Sequence, residues 1–473
     1  MYSLLFLGFA SFVLSLFLTP FFRDLALRFG FVDEPDGHRK IHQTPIPRVG
    51  GIAILIAAIG SYALLLTVRL SAGNIVRAGL PFALKLLPAV IIIFIVGLID
   101  DIVGISAWKK LIAQVGVALI AWSVGIRLES IGGHPFHVAV SLILTILWIV
   151  ACTNAVNLID GVDGLAAGVG LFAAFTTLIA GLLHQNIDLV FATAPLAGAL
   201  LGFLRYNFNP ASIFLGDCGS LTIGFLLGCY GIAWSEKSTT LLGMTAPLLA
   251  LSVPLLDSGI AIARRFLRQQ PIFSADRSHI HHKLLSRGLT PRRVVLVLYG
   301  FCGLAAIASL MLTATHKQYQ DFVIVLVCLV AWLGLQHLGY HEFGVARRLV
   351  LGGGFRRMVN AQLALISIEQ ELAASTSVDQ CWGILREAAP RFGFSGIELN
   401  LDRSEFHGDF DGRWHIHVEL PGHGYINLIR NANTADSGSA SILFVECVAR
   451  VFKQKLNELR PEQANLKVYA SAD

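Results

Sequence analysis

Eleven apolar runs dominate this chain, near residues 4–22, 50–68, 84–99, 110–126, 138–153, 165–183, 188–204, 220–234, 241–262, 294–314 and 322–339. Each is about long enough to cross roughly 30 Å of hydrocarbon as a helix, the shorter ones with slight extension or tilt. Composition agrees: 55% of residues are hydrophobic and only 14% charged, against about 25% charged in ordinary soluble domains. So few charges cannot coat the three soluble domains that 473 residues would otherwise suggest. Disorder, coiled coil and collagen are excluded on the same grounds. The first run has no basic residue before it and no small-residue cleavage site after it, so it reads as a retained span. The expected fold class is an all-α polytopic membrane protein of about eleven transmembrane helices over residues 1–340. A cytoplasmic α+β domain over 341–473 follows.

Orientation comes from the basic residues. Connections after odd-numbered runs carry Arg23, Arg28, Arg39, Lys40, Arg48, Lys109, Lys110, Arg205 and eight more between Arg264 and Arg293. The opposite connections hold only Arg69, Arg77, Lys85, Arg127, Lys237 and Lys317. The richer side is expected to be cytoplasmic, with the N-terminus outside and the tail inside. The net charge of +5 is too small to argue for nucleic acid as a partner. Seven cysteines, at 152, 218, 229, 302, 328, 381 and 447, form no CxxC pair. Neither a zinc site nor a disulfide framework is indicated.

The unusual polar residues sort onto that cytoplasmic side. Asp100 and Asp101 end the third run in GLIDD; Asn154, Asn157, Asp160 and Asp163 end the fifth in TNAVNLIDGVDGLAAG. Asn207 and Asp217 precede the eighth, in YNFNPASIFLGDCGS, and the histidines of DRSHIHHKLLSRG follow the ninth. Each group has a plain alternative. The aspartate pair could be a solvated cap, and Gly-Val-Asp-Gly is ordinary turn chemistry. Asp217 could be an N-cap instead of a Mg²⁺ ligand beside a phosphate at a helix start. The HIHH run lacks the further ligands that a tetrahedral zinc site needs, and among eight basic residues it suits an anionic, hydroxyl-rich ligand better. A transporter would place polar residues near the bilayer midplane on several spans; these crowd one surface. Carboxylates with Mg²⁺ and a basic loop at a membrane surface suit transfer of a phosphate-bearing group between a soluble and a lipid substrate. No Ser-His-Asp grouping or Walker-type loop competes with that reading.

Five segments in order, DEPDGHRKIHQTPIPRVGGI, GLIDD, NAVNLIDGVDGLAAG, NPASIFLGDCGSL and ADRSHIHHKLL, resemble the polyprenyl-phosphate N-acetylhexosamine-1-phosphate transferases. The HIHH form resembles the undecaprenyl-phosphate GlcNAc-1-phosphate branch. The resemblance implies ten or eleven helices around a cytoplasmic cleft, with Mg²⁺ (or Mn²⁺) as cofactor. It implies UDP-GlcNAc and undecaprenyl phosphate as substrates, UMP as by-product, and a bacterial inner-membrane location. A homodimer is the protein assembly expected. Asp217 is implied as the main metal ligand with Asn157 beside it, and Asp100 and Asp101 as a catalytic pair. Lys40, Lys110, Asn157, Asp160, Asp163, Asn207, His279, His281 and His282 are implied as substrate-binding, and Asp257 as structural. The alternatives kept are another UDP-N-acetylhexosamine, or a non-catalytic transporter or sensor.

The tail reads as helices over 355–374 and 378–392, short strands including WHIHVEL, and a helix over 440–459. Trp414, Ile416, Val418 and Leu420 fall on one strand face. The order weakly resembles a GAF-type sensory domain. His407, Asp409, Asp411, His415 and His417 read as the solvent side of a strand after a turn.

Overall fold

The computed structural model describes residues 2–34, 45–67, 73–131, 134–235, 245–267, 279–314, 323–326, 329, 354–400, 413–420, 424–431 and 438–459. It divides into two compact units, Met1–Gly339 and Tyr340–Asp473, each with its own hydrophobic core.

In the first unit the long helices are α1 (Tyr2–Phe29), α2 (Gly50–Thr67), α3 (Gly73–Val103), α4 (Ala107–Ser123), α5 (Val138–Ile159), α6 (Leu165–Leu183), α7 (Ile187–Asn207), α8 (Gly216–Ser235) and α12 (Pro291–Ala314). All but α4, which has 17 residues, contain a stretch long and apolar enough to cross a membrane, making eight such helices among the described residues. The run at 241–262 is broken into α9 (Thr245–Ala250) and α10 (Ser252–Leu267). Pro254 has no N–H to offer the Ala250 carbonyl, and the helix breaks at Leu251. A short helix, α11 (Ile280–Ser286), follows. The run at 322–339 lies mostly outside the described residues.

Helix α8 is the hub, with nearly every residue buried and α2, α3, α5 and α6 packed around it. Its N-terminal turn can sit so close to α3 because residue 97 is glycine: a methyl there would lie 2.5 Å from Cys218 Cα. Between α1 and α7 the contact is made by small residues, as lipid-embedded helices require. Ser11 and Ser15 donate to the carbonyls of Pro195 and Ala199 at 2.7 and 2.8 Å. Both helices carry an internal proline, and each proline frees a carbonyl one turn earlier. Both freed carbonyls find a tyrosine: Tyr206 Oη donates to Leu16 at 3.1 Å and Tyr62 Oη to Phe191 at 2.7 Å. Where no water is at hand, such partners are what makes a proline tolerable inside a span.

The second unit has helices α13 (Gly354–Ala374), α14 (Val378–Ala388), α15 (Gly438–Cys447) and α16 (Lys453–Leu459). A three-stranded antiparallel sheet orders Gly396–Asn400, Tyr425–Asn431 and Arg413–Glu419. Ile426, Leu428, Val418 and Leu420 enter the core with Phe444 and Phe452, while Trp414, at the strand's end, is exposed. His417 is exposed and His415 half-buried; residues 407–411 lie outside the described residues.

Candidate active site

The cluster forms where α3, α4, α5 and α8 end on one side of the unit. Asp100 closes α3, and its Oδ1 accepts from the Ile105 amide at 2.6 Å. Its Oδ2 lies 2.7 Å from Lys110 Nζ, and the same ammonium lies 2.9 Å from Asp217 Oδ2. All three side chains are largely enclosed, with 11%, 23% and 19% of their surface exposed. Asn157, from the end of α5, donates through Nδ2 to Asp217 Oδ1 at 3.1 Å and to Ser220 Oγ at 2.9 Å. Carboxylate oxygens from two helices thus converge on one cation. A pair of hard oxygen donors of this kind fits a Mg²⁺-type ion, which commonly takes one or two carboxylates and completes its shell with water and substrate phosphate. Asn157 meets the cluster as a donor, through its N–H.

Asp101 does something different. Its Oδ1 accepts from the backbone N–H of Asp217 at 2.8 Å and its Oδ2 from that of Cys218 at 2.9 Å. It is a cap for α8 supplied from α3, satisfying two of the orphan amides at a helix start and favouring its dipole. Gly216, with φ +76°, makes the turn into α8. Any Cβ there would meet the Arg48 carbonyl and Asp101 Oδ2. The segment before α2 zips onto the same approach: Phe214 donates to Pro47 at 2.8 Å, and Gly50 and Gly51 donate to Phe214 and Leu215 at 3.0 and 2.9 Å.

Asp163 and Asn207 turn toward the chain itself. Asp163 Oδ2 accepts from Asn209 Nδ2 and from the Ala211 amide, both at 3.0 Å, and buried Asn207 donates to the Ile213 carbonyl at 2.9 Å. Together they shape the loop that leads into Asp217. Asp160, half-buried, accepts no hydrogen bond among the described residues. Desolvation and the nearby carboxylates of Asp217 and Asp101 push its carboxyl well above the usual range.

The histidine run folds against the same loop. Asp257, in α10, accepts from the Ile280 amide at 2.9 Å and meets His279 Nδ1 at 3.1 Å. His279 and His281 stack with ring centres 5.7 Å apart, and His281 Nε2 faces Gly161. His281 is 2% exposed and its Nδ1 has no partner among the described residues. Burial, with His282 beside it, pushes its pKa down to about 4. His282 is half-exposed. Asp257, read from the sequence as structural, thus anchors the start of the histidine helix. Lys40 lies outside the described residues.

A family model described as Glycosyl transferase family 4 matches residues 83–235, which hold Asp100, Asp101, Lys110, Asn157, Asp160, Asp163, Asn207 and Asp217. A Bacillus subtilis protein named "Probable undecaprenyl-phosphate N-acetylglucosaminyl 1-phosphate transferase" is 34% identical over 321 residues, covering 66% of this chain and 86% of its own. The Mycobacterium tuberculosis "Decaprenyl-phosphate N-acetylglucosaminephosphotransferase" is 35% identical, over 64% of this chain and 80% of its own. A Streptococcus mutans "Phospho-N-acetylmuramoyl-pentapeptide-transferase" is 30% identical over 50% of this chain and 74% of its own. With its spans, its ordered motifs and these relatives, the chain belongs to glycosyl transferase family 4 as a multi-pass membrane protein.

Proposed function

We propose that the protein transfers N-acetylglucosamine-1-phosphate from UDP-GlcNAc to undecaprenyl phosphate, releasing UMP and leaving undecaprenyl-diphospho-GlcNAc. The observation that carries this reading is the convergence of Asp100, Lys110, Asn157 and Asp217 at one end of four helices. An oxygen of the lipid phosphate bonds to the sugar-bearing phosphorus, the bond from that phosphorus to the bridging oxygen breaks, and the electron pair leaves with UMP. Both substrates are anions, so charge neutralisation and alignment are most of the work. Lys110 offers its ammonium to a phosphate oxygen. Asp100 holds Lys110 in place and orients the lipid phosphate. Asn157 fixes the Asp217 carboxylate, and Asp101 fixes the start of the helix that carries it. Asp217 and Asp100 are the residues that would hold Mg²⁺, which supplies neutralisation of the diphosphate when bound. The histidine loop offers imidazole nitrogens to sugar hydroxyls and the acetamido carbonyl.

The eleven apolar runs support eleven crossings, the lysine and arginine bias supports a cytoplasmic active site and tail, and the family resemblance supports the bacterial inner membrane. The test is to incubate purified protein with undecaprenyl phosphate, Mg²⁺ and a panel of UDP-sugars, and to identify the lipid product. The expected product carries GlcNAc-diphosphate with stoichiometric UMP. Efficient transfer from UDP-muramyl-pentapeptide would overturn the branch, and no lipid product from any donor would overturn the chemistry.

A further inference from the structure

One turn behind the Lys110–Asp217 contact, α4 and α5 are joined by a second polar contact that the reaction scheme does not use. Gln114 Nε2 donates to Asn154 Oδ1 at 3.2 Å, and Asn154 Nδ2 donates back to Gln114 Oε1 at 2.6 Å. Asn154 also donates to the Val150 carbonyl of its own helix at 2.9 Å. Gln114 is 1% exposed, and Val117, Ala118 and Ala121 of the same helix are buried beyond it. The spacing ties this pair to the site: Gln114 is four residues after Lys110 and Asn154 three before Asn157, so each lies on the helix face of its reactive neighbour.

Helix α4 needs such a contact. It packs on α3 and α5, and its other side carries the exposed apolar residues Trp108, Ile112 and Leu119. Contacts between smooth apolar side chains tolerate sliding along the helix axis. A reciprocal amide pair does not, because a shift of about 1 Å breaks one bond or both. Lys110 reaches the cluster through a flexible four-carbon stem, so its ammonium is delivered only if the root of that stem is held in register. We propose that the Gln114–Asn154 pair is a positioning device that sets the register of α4 on α5 and thereby delivers Lys110 between Asp100 and Asp217. The inference rests on the transfer reaction proposed above.

The test compares full-length wild type with Gln114→Leu, Asn154→Leu, the double leucine variant and the exchanged pair Gln114→Asn/Asn154→Gln, in steady-state kinetics with UDP-GlcNAc and in thermal melting. Asn154→Leu strands the buried Gln114 amide and Gln114→Leu leaves half-buried Asn154 only its Val150 partner, so each single variant is expected to lose both melting temperature and kcat, the latter by at least about tenfold, with KM for UDP-GlcNAc changed less than about threefold. The double leucine variant strands nothing, so its melting temperature returns while its kcat stays low. The exchanged pair keeps two complementary amides and regains most of kcat. Wild-type kcat in either folded single variant overturns the proposal, as does a double leucine variant whose kcat returns with its melting temperature. Should the double variant not fold, a folded exchanged pair as slow as the singles overturns it equally. A wild-type protein that makes no lipid product would instead overturn the proposed reaction.

Discussion

Asp101 and Asp100 are adjacent in the chain, yet their surroundings predict opposite failures. Both oxygens of Asp101 are committed to the first amides of α8, at 2.8 and 2.9 Å. In Asp101→Asn one of those amides keeps an acceptor and the other faces an NH₂ group. Losing one hydrogen bond to a charged acceptor costs about 1.5–3 kcal/mol. Felt wholly at the reacting centre, that is a loss of about ten- to a hundredfold in rate. It should come with a lower melting temperature, because the same bond anchors the hub helix to α3. Glutamate is not expected to rescue it, since both oxygens of Asp101 already sit at hydrogen-bond distance from the two amides and a further methylene displaces them. The assay is lipid-product formation beside thermal melting in detergent. Asp100→Asn is expected to separate the two readouts, with melting near wild type and turnover reduced further than in Asp101→Asn. An Asp101→Asn protein with wild-type melting and no detectable turnover would refute this reasoning and make its carboxylate a direct participant.

Four further outcomes are expected. Asp217→Asn should abolish turnover at every Mg²⁺ concentration while the protein remains inserted and folded, as read by product formation across a Mg²⁺ titration. Gly97→Ala places a methyl 2.5 Å from Cys218 Cα and 2.6 Å from the Asp217 carbonyl, so it should cost about 1–3 kcal/mol of stability. Gly116→Ala on α4, with nothing within 4 Å, is its control in the same melting assay. His281 has a folded pKa of about 4, below its unfolded value. Its contribution, on the order of 3 kcal/mol, is therefore present above pH 6.5 and lost as pH falls toward 4. Melting temperatures across that window should show the slope, and His281→Gln should flatten it. Deleting residues from Phe355 onward should leave a membrane-inserted protein that still forms lipid product, because the two units have separate cores.

What could be read ahead of the structure was whatever depends on short-range pattern. Span positions follow from local hydropathy, and the tail's helices from periodicity, which is why the helices expected over 355–374 and 378–392 lie close to the observed Gly354–Ala374 and Val378–Ala388. The clustering of polar motifs at one membrane surface was also legible, because chain direction alone decides which ends of successive spans lie together. What each aspartate does was not. Asp100 and Asp101 differ by one helical step of about 100°, and that step decides whether a carboxylate meets Lys110 or the backbone of a helix 116 residues away. Asp160 and Asp163 share a motif, yet among the described residues the first accepts no hydrogen bond beside the site and the second is spent on Asn209 and Ala211. Even the break at Leu251 needed the carbonyl bookkeeping around Pro254, since prolines inside α1 and α7 are tolerated where a tyrosine hydroxyl reaches the freed carbonyl. In each case the deciding partner is remote in sequence. A motif thus marks where polar groups gather, while the division into groups that meet substrate and groups that hold those in place is set by helix packing. Glycines at 51 and 97 make that packing possible, and they are as much a part of the site as the carboxylates they bring together.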